Sequence, residues 1–458
     1  MRRRKADLGR RVNGELRVEF SESGLTSYAG LELLVRYFRR IDLNGLIRRH
    51  LAPGLPGDFG VTAMVRMLLG LVIVGGRRLG HVRYLVGDPL IHRFCGLAHL
   101  PGRRTVSRWL KQFTGVWIER LRTLNAEVVA RTVRMLPLRT LTLDVDGTVL
   151  STGLTVERAF RGFNPHHRKV PSYYPITAHL AETGHVLRVK NRSGNINDGK
   201  ASITFLRDLF AQIVDTLGRT LRLQFRMDGD FFKETVLRLL IARGAGYAIK
   251  VPFWQWLDLQ QLIRACRNWQ RVTGDVHCFE VQLPLTPWRL AVRVVIYRKV
   301  VHHRSARNYQ LDLFDPNDGY YEYSAVATNL ALSGRKLWHF MCGRGAHEKV
   351  IGELKSGLAF ATIPTRHYGA NSAWQQLVAL AHNLITNFQI ETGAPARRRS
   401  AKRTALHVLK SIHTLRFELF HRAGRVVRPD GVTILRLAPN EPTKRLFLRI
   451  ASHLGKAA

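Results

Sequence analysis

Acidic side chains are scarce in this 458-residue chain, 33 against 72 lysines and arginines, so the places where they occur carry information. The run LTLDVDGTV puts Asp144 and Asp146 two residues apart in an apolar segment of strand length. Side chains alternate along a strand, so both point to one face. An ionised carboxylate there must meet solvent, a cation or a metal, because burying it unpaired in an apolar core is very costly. LQFRMDGDFF repeats the device, with Asp228 and Asp230 at the end of a second strand. A third candidate, Glu348, opens a helical stretch, RGAHEKVIGELKSG, between Arg344 and Lys355. At ~3.6 residues per turn these three residues share one helix face. Oxygen-rich sites select hard cations such as Mg2+. Two such ions ~4 Å apart can activate a water or hydroxyl and stabilise the leaving oxygen in phosphoryl transfer. Two strand aspartates and one helix glutamate would provide that cage, with Arg344 and Lys355 gripping phosphates. Taken singly, the same residues read as strand-end turn acids and as a surface ion-pair ladder.

The charge balance names a partner. A formal charge of +39 repels itself unless a polyanion neutralises it. Nucleic acid is the natural polyanion, since neutralised phosphates release counterions; an anionic membrane is the weaker alternative. The longest apolar run, Met67 to Gly76, is half of what a bilayer span needs. The basic N-terminus has no apolar stretch after it, so no secretory signal is expected. Cys95, Cys266, Cys278 and Cys342 are scattered and suggest buried free thiols in a reducing cytoplasm rather than disulfides or a zinc ribbon. The histidine pairs His166-His167 and His302-His303 lack metal-ligand partners. NRSGNINDGK lacks a Walker lysine pattern, so no nucleotide cofactor is expected.

The elements that would position the acids fall into blocks. Residues 1–20 form a basic arm. Residues 21–135 carry helical spacing and form a helical DNA-binding domain, in which GRRTVSRWLKQF resembles a recognition helix. Arg103, Arg104 and Arg108 stand at its start, and Thr105 or Ser107 near its cap. Residues 136–251 read as three strands, then helix, strand, helix and strand, the opening of a mixed α/β core of ribonuclease-H type. Residues 252–333 are a β-rich insertion, holding Trp254, Trp256, Trp269 and Trp288 for packing or for stacking on an unpaired base. Residues 334–395 return to the core with the Glu348 helix, where Asn371 caps the following helix or lies just inside it. Residues 396–458 form a basic C-terminal region.

RGAHEKVIGELK matches the R-x3-E-x6-K part of the Y-R-E-K signature of bacterial insertion-sequence DDE transposases. LDVDGTV resembles their first-aspartate motif and FRMDGDFF their second. RGFNPHHRKVPSYYPITAHLAETGHVLRVKNRSGN and VATNL also resemble the blocks that flank these motifs. The resemblance runs from about Leu25 to Phe388 and is strongest to the insertion-sequence family numbered thirteen-eighty. It implies a ribonuclease-H-like core interrupted between its second and third acids, with Asp146, Asp228 and Glu348 as catalytic and metal-binding residues. Gly147-Thr148 after Asp146 favours it over Asp144 as the first acid. Arg344 and Lys355 match DNA-contacting positions, while Met341 stands where the signature has tyrosine. The implied cofactor is a pair of Mg2+ ions, with Mn2+ able to substitute. The implied reaction is transposition: water hydrolyses a strand at each element end, and the freed 3′-hydroxyl attacks target DNA. The implied partners are double-stranded DNA, as element ends and target, and a second copy of the chain in a homodimer on paired ends. A bacterial cytoplasmic location, on the nucleoid when bound to DNA, follows from the same resemblance. Two other readings stand beside it: a catalytically inactive, domesticated DNA-binding protein, and a ribonuclease-H-like nuclease that cuts without strand transfer.

Overall fold

A computed structural model describes residues 16, 18–20, 22–52, 54–162, 164, 169–196, 198–301, 318–397 and 404–455. Most of the basic arm, both histidine pairs and most of the cationic stretch 396–403 lie outside the described residues.

Helices come first. They are α1 (Leu31–Arg40), α2 (Leu43–Leu51), α3 (Val61–Ile73), α4 (Pro89–Cys95), α5 (Arg103–Leu110) and α6 (Gly115–Val133). Helix α4 starts where its sequence dictates. Asp88 accepts from the Leu90 and Ile91 amides, and Pro89 occupies the first turn, where its missing N–H costs nothing. The apolar run at Met67 lies in α3 and is buried. Among the described residues no helix is long and apolar enough to cross a membrane.

A sheet follows, built from β1 (Thr140–Gly147), β2 (Ile176–Leu180) and β3 (His185–Lys190). After α7 (Asp198–Leu217) come β4 (Arg222–Met227), α8 (Glu234–Ala242) and β5 (Gly246–Lys250). The region 252–333 supplies β6 (Gln270–Thr273), β7 (Val276–Leu285), β8 (Leu290–Val300) and β9 (Tyr321–Thr328). These last strands extend the same sheet, with β9 pairing antiparallel to β5. The order across the sheet is β3-β2-β1-β4-β5-β9-β8-β7-β6. Only β1-β4 and β4-β5 are parallel. The fold is therefore mixed α/β around one large mixed sheet.

One face of the central strands is apolar. Leu141, Leu143, Val145, Phe225 and Met227 pack there with Phe205 and Leu209 of α7 and Leu237 of α8. The opposite face carries Asp144, Asp146 and Arg226, and it receives α9 (Gly334–Cys342) and α10 (Gly345–Gly352). The long α11 (Tyr368–Glu391) then returns to the N-terminal helices. Leu377, Leu380 and Leu384 share one core with Leu33, Leu34 and Leu68. The helical block 21–135 thus shares its core with residues far downstream. A small sheet ties the same two regions, pairing Leu25–Thr26 with Gly424–Val427 and that strand with Ile434–Leu437.

Helix α11 is buried along almost all its length, polar residues included, because it lies against the edge strand β3. Asn383 accepts from the Val186 amide at 2.8 Å and donates to the Val186 carbonyl at 2.7 Å, while Gln376 donates to the Val189 carbonyl. Side-chain amides thus occupy an edge that would otherwise offer itself to another strand. His185 sits between Thr183 Oγ1 and Asn387 Oδ1, and His382 meets the Gly184 carbonyl.

Burial keeps these histidines neutral. It pushes His185 and His347 down to about 3 and His382 down to about 4. It also pushes Glu182 up to about 7, against hydrogen bonds from Thr142. Between pH ~4.5 and ~6.5 the unfolded chain takes protons on three histidines that the fold refuses, and the fold takes one on Glu182. The net excess of about two protons in the unfolded state makes stability fall by roughly 3 kcal/mol per pH unit as pH drops through that window. Urea titrations at pH 7 and pH 5 check this. A midpoint at pH 5 equal to or above that at pH 7 contradicts it.

Candidate active site

Strands β1 and β4 run parallel with Asp144 opposite Arg226. That register offset, 226 − 144 = 82, equals 228 − 146. Period-two alternation therefore makes Asp146 and Asp228 lateral neighbours above the Asp144–Arg226 pair, at the carboxyl ends of two parallel strands. Crevices at such ends are where open α/β sheets bind ligands. Each acid is also held by its own turn: Asp146 accepts from the Gly147 amide at 2.9 Å, and Asp228 from the Asp230 amide at 3.2 Å.

Both carboxylates meet one cation. The terminal nitrogen of Arg344, at the start of α10, lies 2.7 Å from Asp146 Oδ2 and 3.5 Å from Asp228 Oδ2. Burial alone would lower the Arg344 pKa. The charges of Asp146, Asp228, Asp144 and Glu348 outweigh it and hold the guanidinium above its ordinary value. Lys355 donates to the Val149 carbonyl at 3.0 Å. Burial lowers its pKa, with the Asp146 charge opposing. A widened turn over Glu353–Gly357 follows α10 and carries Lys355 to that spot. Such turns are frequent at functional sites.

Glu348 stands apart. It is exposed in the first turn of α10 and lines, with Arg344, Lys250 and Glu322, a cavity of about 380 Å³. The donor chemistry fits a hard cation in part: two carboxylates already share a positive charge, with the third acid one helical turn away. Among the described residues no group of three or more His, Cys, Asp or Glu side chains is gathered in a way that could hold a metal ion. Met341 lines the same cavity.

Beneath the two acids lies a buried ion pair. Arg226 Nε is 2.5 Å from Asp144 Oδ1 and its terminal nitrogen 2.7 Å from Oδ2, both side chains being 0% exposed. Desolvation would raise the Asp144 pKa, but hydrogen bonds and charges from His179 and Arg226 outweigh it and hold the carboxyl below its ordinary range. Asp144 is thus committed to the protein interior. The remaining Arg226 nitrogen donates to the Phe340 carbonyl of α9 at 2.8 Å. Sequence reasoning missed Arg226. Its signal was an arginine two residues before Asp228, in phase with the two-residue step between Asp144 and Asp146.

A family described as "Transposase DDE domain group 1" matches residues 9–458. The chain belongs to this DDE transposase family. No curated protein matches the transposase. Among solved structures it is similar to a piggyBac transposase synaptic complex with hairpin DNA, determined by cryo-electron microscopy. The identity is 10%, over 87% of this chain and 83% of that one, with a TM-score of 0.42.

The remaining candidates of the transposase lie away from the carboxylates. Gly102 is the N-cap of α5, with Thr105 in the first turn and Ser107 farther inside, and no side chain makes a cap hydrogen bond. Val106, Trp109 and Leu110 are buried, and Arg103, Arg104 and Arg108 are exposed. Asn371 is inside α11 and folds back to accept from the Thr365 amide at 3.1 Å. Three of the four tryptophans gather: Trp254 and Trp288 pack on Phe232, and Trp256 stacks on Trp254, lining a cavity of about 810 Å³. Trp269 is elsewhere, against Phe279 and under Arg298.

Proposed function

We propose that this transposase binds the ends of a mobile DNA element and cleaves and joins DNA strands at Asp146, Asp228 and Glu348, within a ribonuclease-H-like core. The observation that carries the reading is the meeting of Asp146 and Asp228 at one guanidinium, at the ends of two parallel strands. The assignment to the insertion-sequence family numbered thirteen-eighty, with Arg344, Glu348 and Lys355 as the R, E and K of the signature, rests on the motifs. Double-stranded DNA is the partner that the charge of +39 and the family support. Two ends need two sites, which supports a homodimer.

Asp146, Asp228 and Glu348 would hold the magnesium. Bound there, it would lower the pKa of a water and stabilise the leaving 3′-oxygen. The chain's own cations do the rest. Arg344 offsets the mutual repulsion of the two aspartates and is placed to turn to a phosphate when they take another cation. Lys355 holds positive charge three residues' reach from Asp146, at Val149, where a non-bridging phosphate oxygen can meet it. Glu348 lies one helical turn beyond Arg344 on the same face, so a shift of α10 along its axis, or a swing of the side chain, would bring Glu348 toward the aspartates in place of Arg344.

The test is a cleavage assay on a plasmid bearing the inverted repeats that flank the reading frame, with millimolar Mg2+ or with excess chelator. Expected are nicks at the repeat ends, then joining of 3′-hydroxyl ends to a target duplex, with chelation reducing both to background. Cleavage indifferent to chelator removes the metal. Cleavage without joining favours the nuclease reading. Binding without cleavage leaves an inactive DNA-binding protein.

A further inference from the structure

A second positively charged feature lies outside the carboxylate site. Arg77, Arg78 and Arg83, from the segment after α3, face Arg103 of α5 across a cleft of about 770 Å³ whose other wall is Thr362–Pro364. All four arginines are exposed. Elsewhere in the chain arginines such as Arg93, Arg188 and Arg293 take carboxylate partners. Among the described residues none of these four does. Among the described residues no acidic residue lines the cleft. Four like charges around one void repel each other, and an anion seated among them would relieve that repulsion.

The cleft also has a direction. The Arg77 guanidinium donates to the Ser356 carbonyl at 2.8 Å, and Ser356 adjoins Lys355, whose ammonium reaches the segment just after Asp146. Its rim presents Tyr84, 69% exposed, with the Arg83 guanidinium 4.6 Å over the ring. An exposed aromatic face beside arginines suits a chain of sugars and bases more than a small anion. We propose that this cleft seats the phosphodiester backbone of a DNA strand on its way to the carboxylates, with Arg78 and Arg83 on successive phosphates and Tyr84 against a sugar or base. The proposal rests on the transposase reading.

The test is fluorescence anisotropy with a labelled duplex across a salt series, on the full chain. Each phosphate contact contributes ~0.9 to the slope of log affinity against log salt. The Arg78→Ala/Arg83→Ala double variant is expected to lower that slope by about 1.8 and to weaken binding about 60-fold at 0.1 M salt. Its unfolding midpoint should change little, because both side chains are exposed, neither meets a carboxylate, and Arg83 touches only the ring and hydroxyl of its exposed neighbour Tyr84. Arg219→Ala, on the exposed turn before β4, should leave the slope as it was. A wild-type slope in the double variant overturns the proposal, as does an equal loss in Arg219→Ala. Saturable binding of inorganic phosphate by calorimetry, lost in the double variant while its duplex affinity stays, replaces it with a small-anion site. A larger loss for single-stranded RNA than for duplex DNA replaces it with an RNA site. If the wild type binds no duplex at all, the transposase reading fails with it; if only the variant is indifferent, the cleft alone is wrong.

Discussion

Asp146→Asn, Asp228→Asn and Glu348→Gln each reduce strand cleavage by at least about a thousandfold while duplex affinity is kept. A metal ligand supports several kcal/mol of transition-state charge stabilisation, and ~4 kcal/mol corresponds to about a thousandfold in rate. The sign for binding is opposite. Asp146 and Asp228 sit beside Arg344, so neutralising either one frees positive charge for a phosphate, and affinity stays level or rises. A variant that lost binding and cleavage together would point to misfolding, and its unfolding midpoint would reveal it. Asp230→Asn is the control: the amide of Asp230, not its carboxylate, meets Asp228, and cleavage is expected to stay within about tenfold of wild type. Single-turnover cleavage with millimolar Mg2+ is the measurement. Undiminished cleavage in any of the three variants removes that residue from the site. Glu348→Gln carries the most weight, because that side chain faces solvent while the two aspartates already touch a common partner.

Much of this site was written in local pattern. Asp144 and Asp146 in an apolar strand, and Asp228 at a strand end, follow from period-two alternation and from the cost of burying acids. What alternation cannot give is register. That 146 and 228 lie side by side depends on a parallel pairing whose offset appears nowhere in either strand. The same blindness hid Arg226, which reads in isolation as a surface arginine and is completely buried. Glu348 shows a further gap. Helical spacing puts Arg344 and Glu348 on one face, but which of them reaches the aspartates depends on where α10 sits along its axis, and in this structure Arg344 does. The widened turn at Glu353–Gly357 has no sequence signature, so an ideal helix was the natural expectation for Lys355. The strands within 252–333 were legible as strands, but their attachment to β5 was not, since sheet neighbours need not be sequence neighbours. Helix α11 was legible as a helix, but not the surroundings of its amides and hydroxyls. Their burial against β3 is a tertiary fact.

Arg226→Met is expected to cost about 3–5 kcal/mol, the penalty for leaving a buried carboxylate without its partner. The estimate applies because Asp144 and Arg226 are both 0% exposed and the pairing is bidentate. The paired Asp144 carboxyl lies below its ordinary value of 3.8, so the ion pair's contribution is fully present above that pH and fades only in stronger acid. Without Arg226, only His179 opposes the burial that raises the same carboxyl, so its pKa moves up. The Arg226→Met penalty is therefore largest at neutral pH and shrinks as pH falls toward 5. Replacing both partners by apolar groups should return most of the loss, since a buried pair often breaks even against a hydrophobic one of similar volume. The two readouts then separate. Arg226 also donates to the Phe340 carbonyl, four residues before Arg344, so one guanidinium touches the strand of Asp146, carries the strand of Asp228 and anchors the helix leading to Glu348. An Asp144→Leu/Arg226→Met protein that refolds to near wild-type stability should still cleave DNA poorly and need more Mg2+ for half-maximal rate, because the tie from the strand ends to the Phe340 carbonyl of α9 is gone. Restored stability together with a wild-type Mg2+ requirement would reduce the pair to a stabilising contact with no part in holding the acids in place.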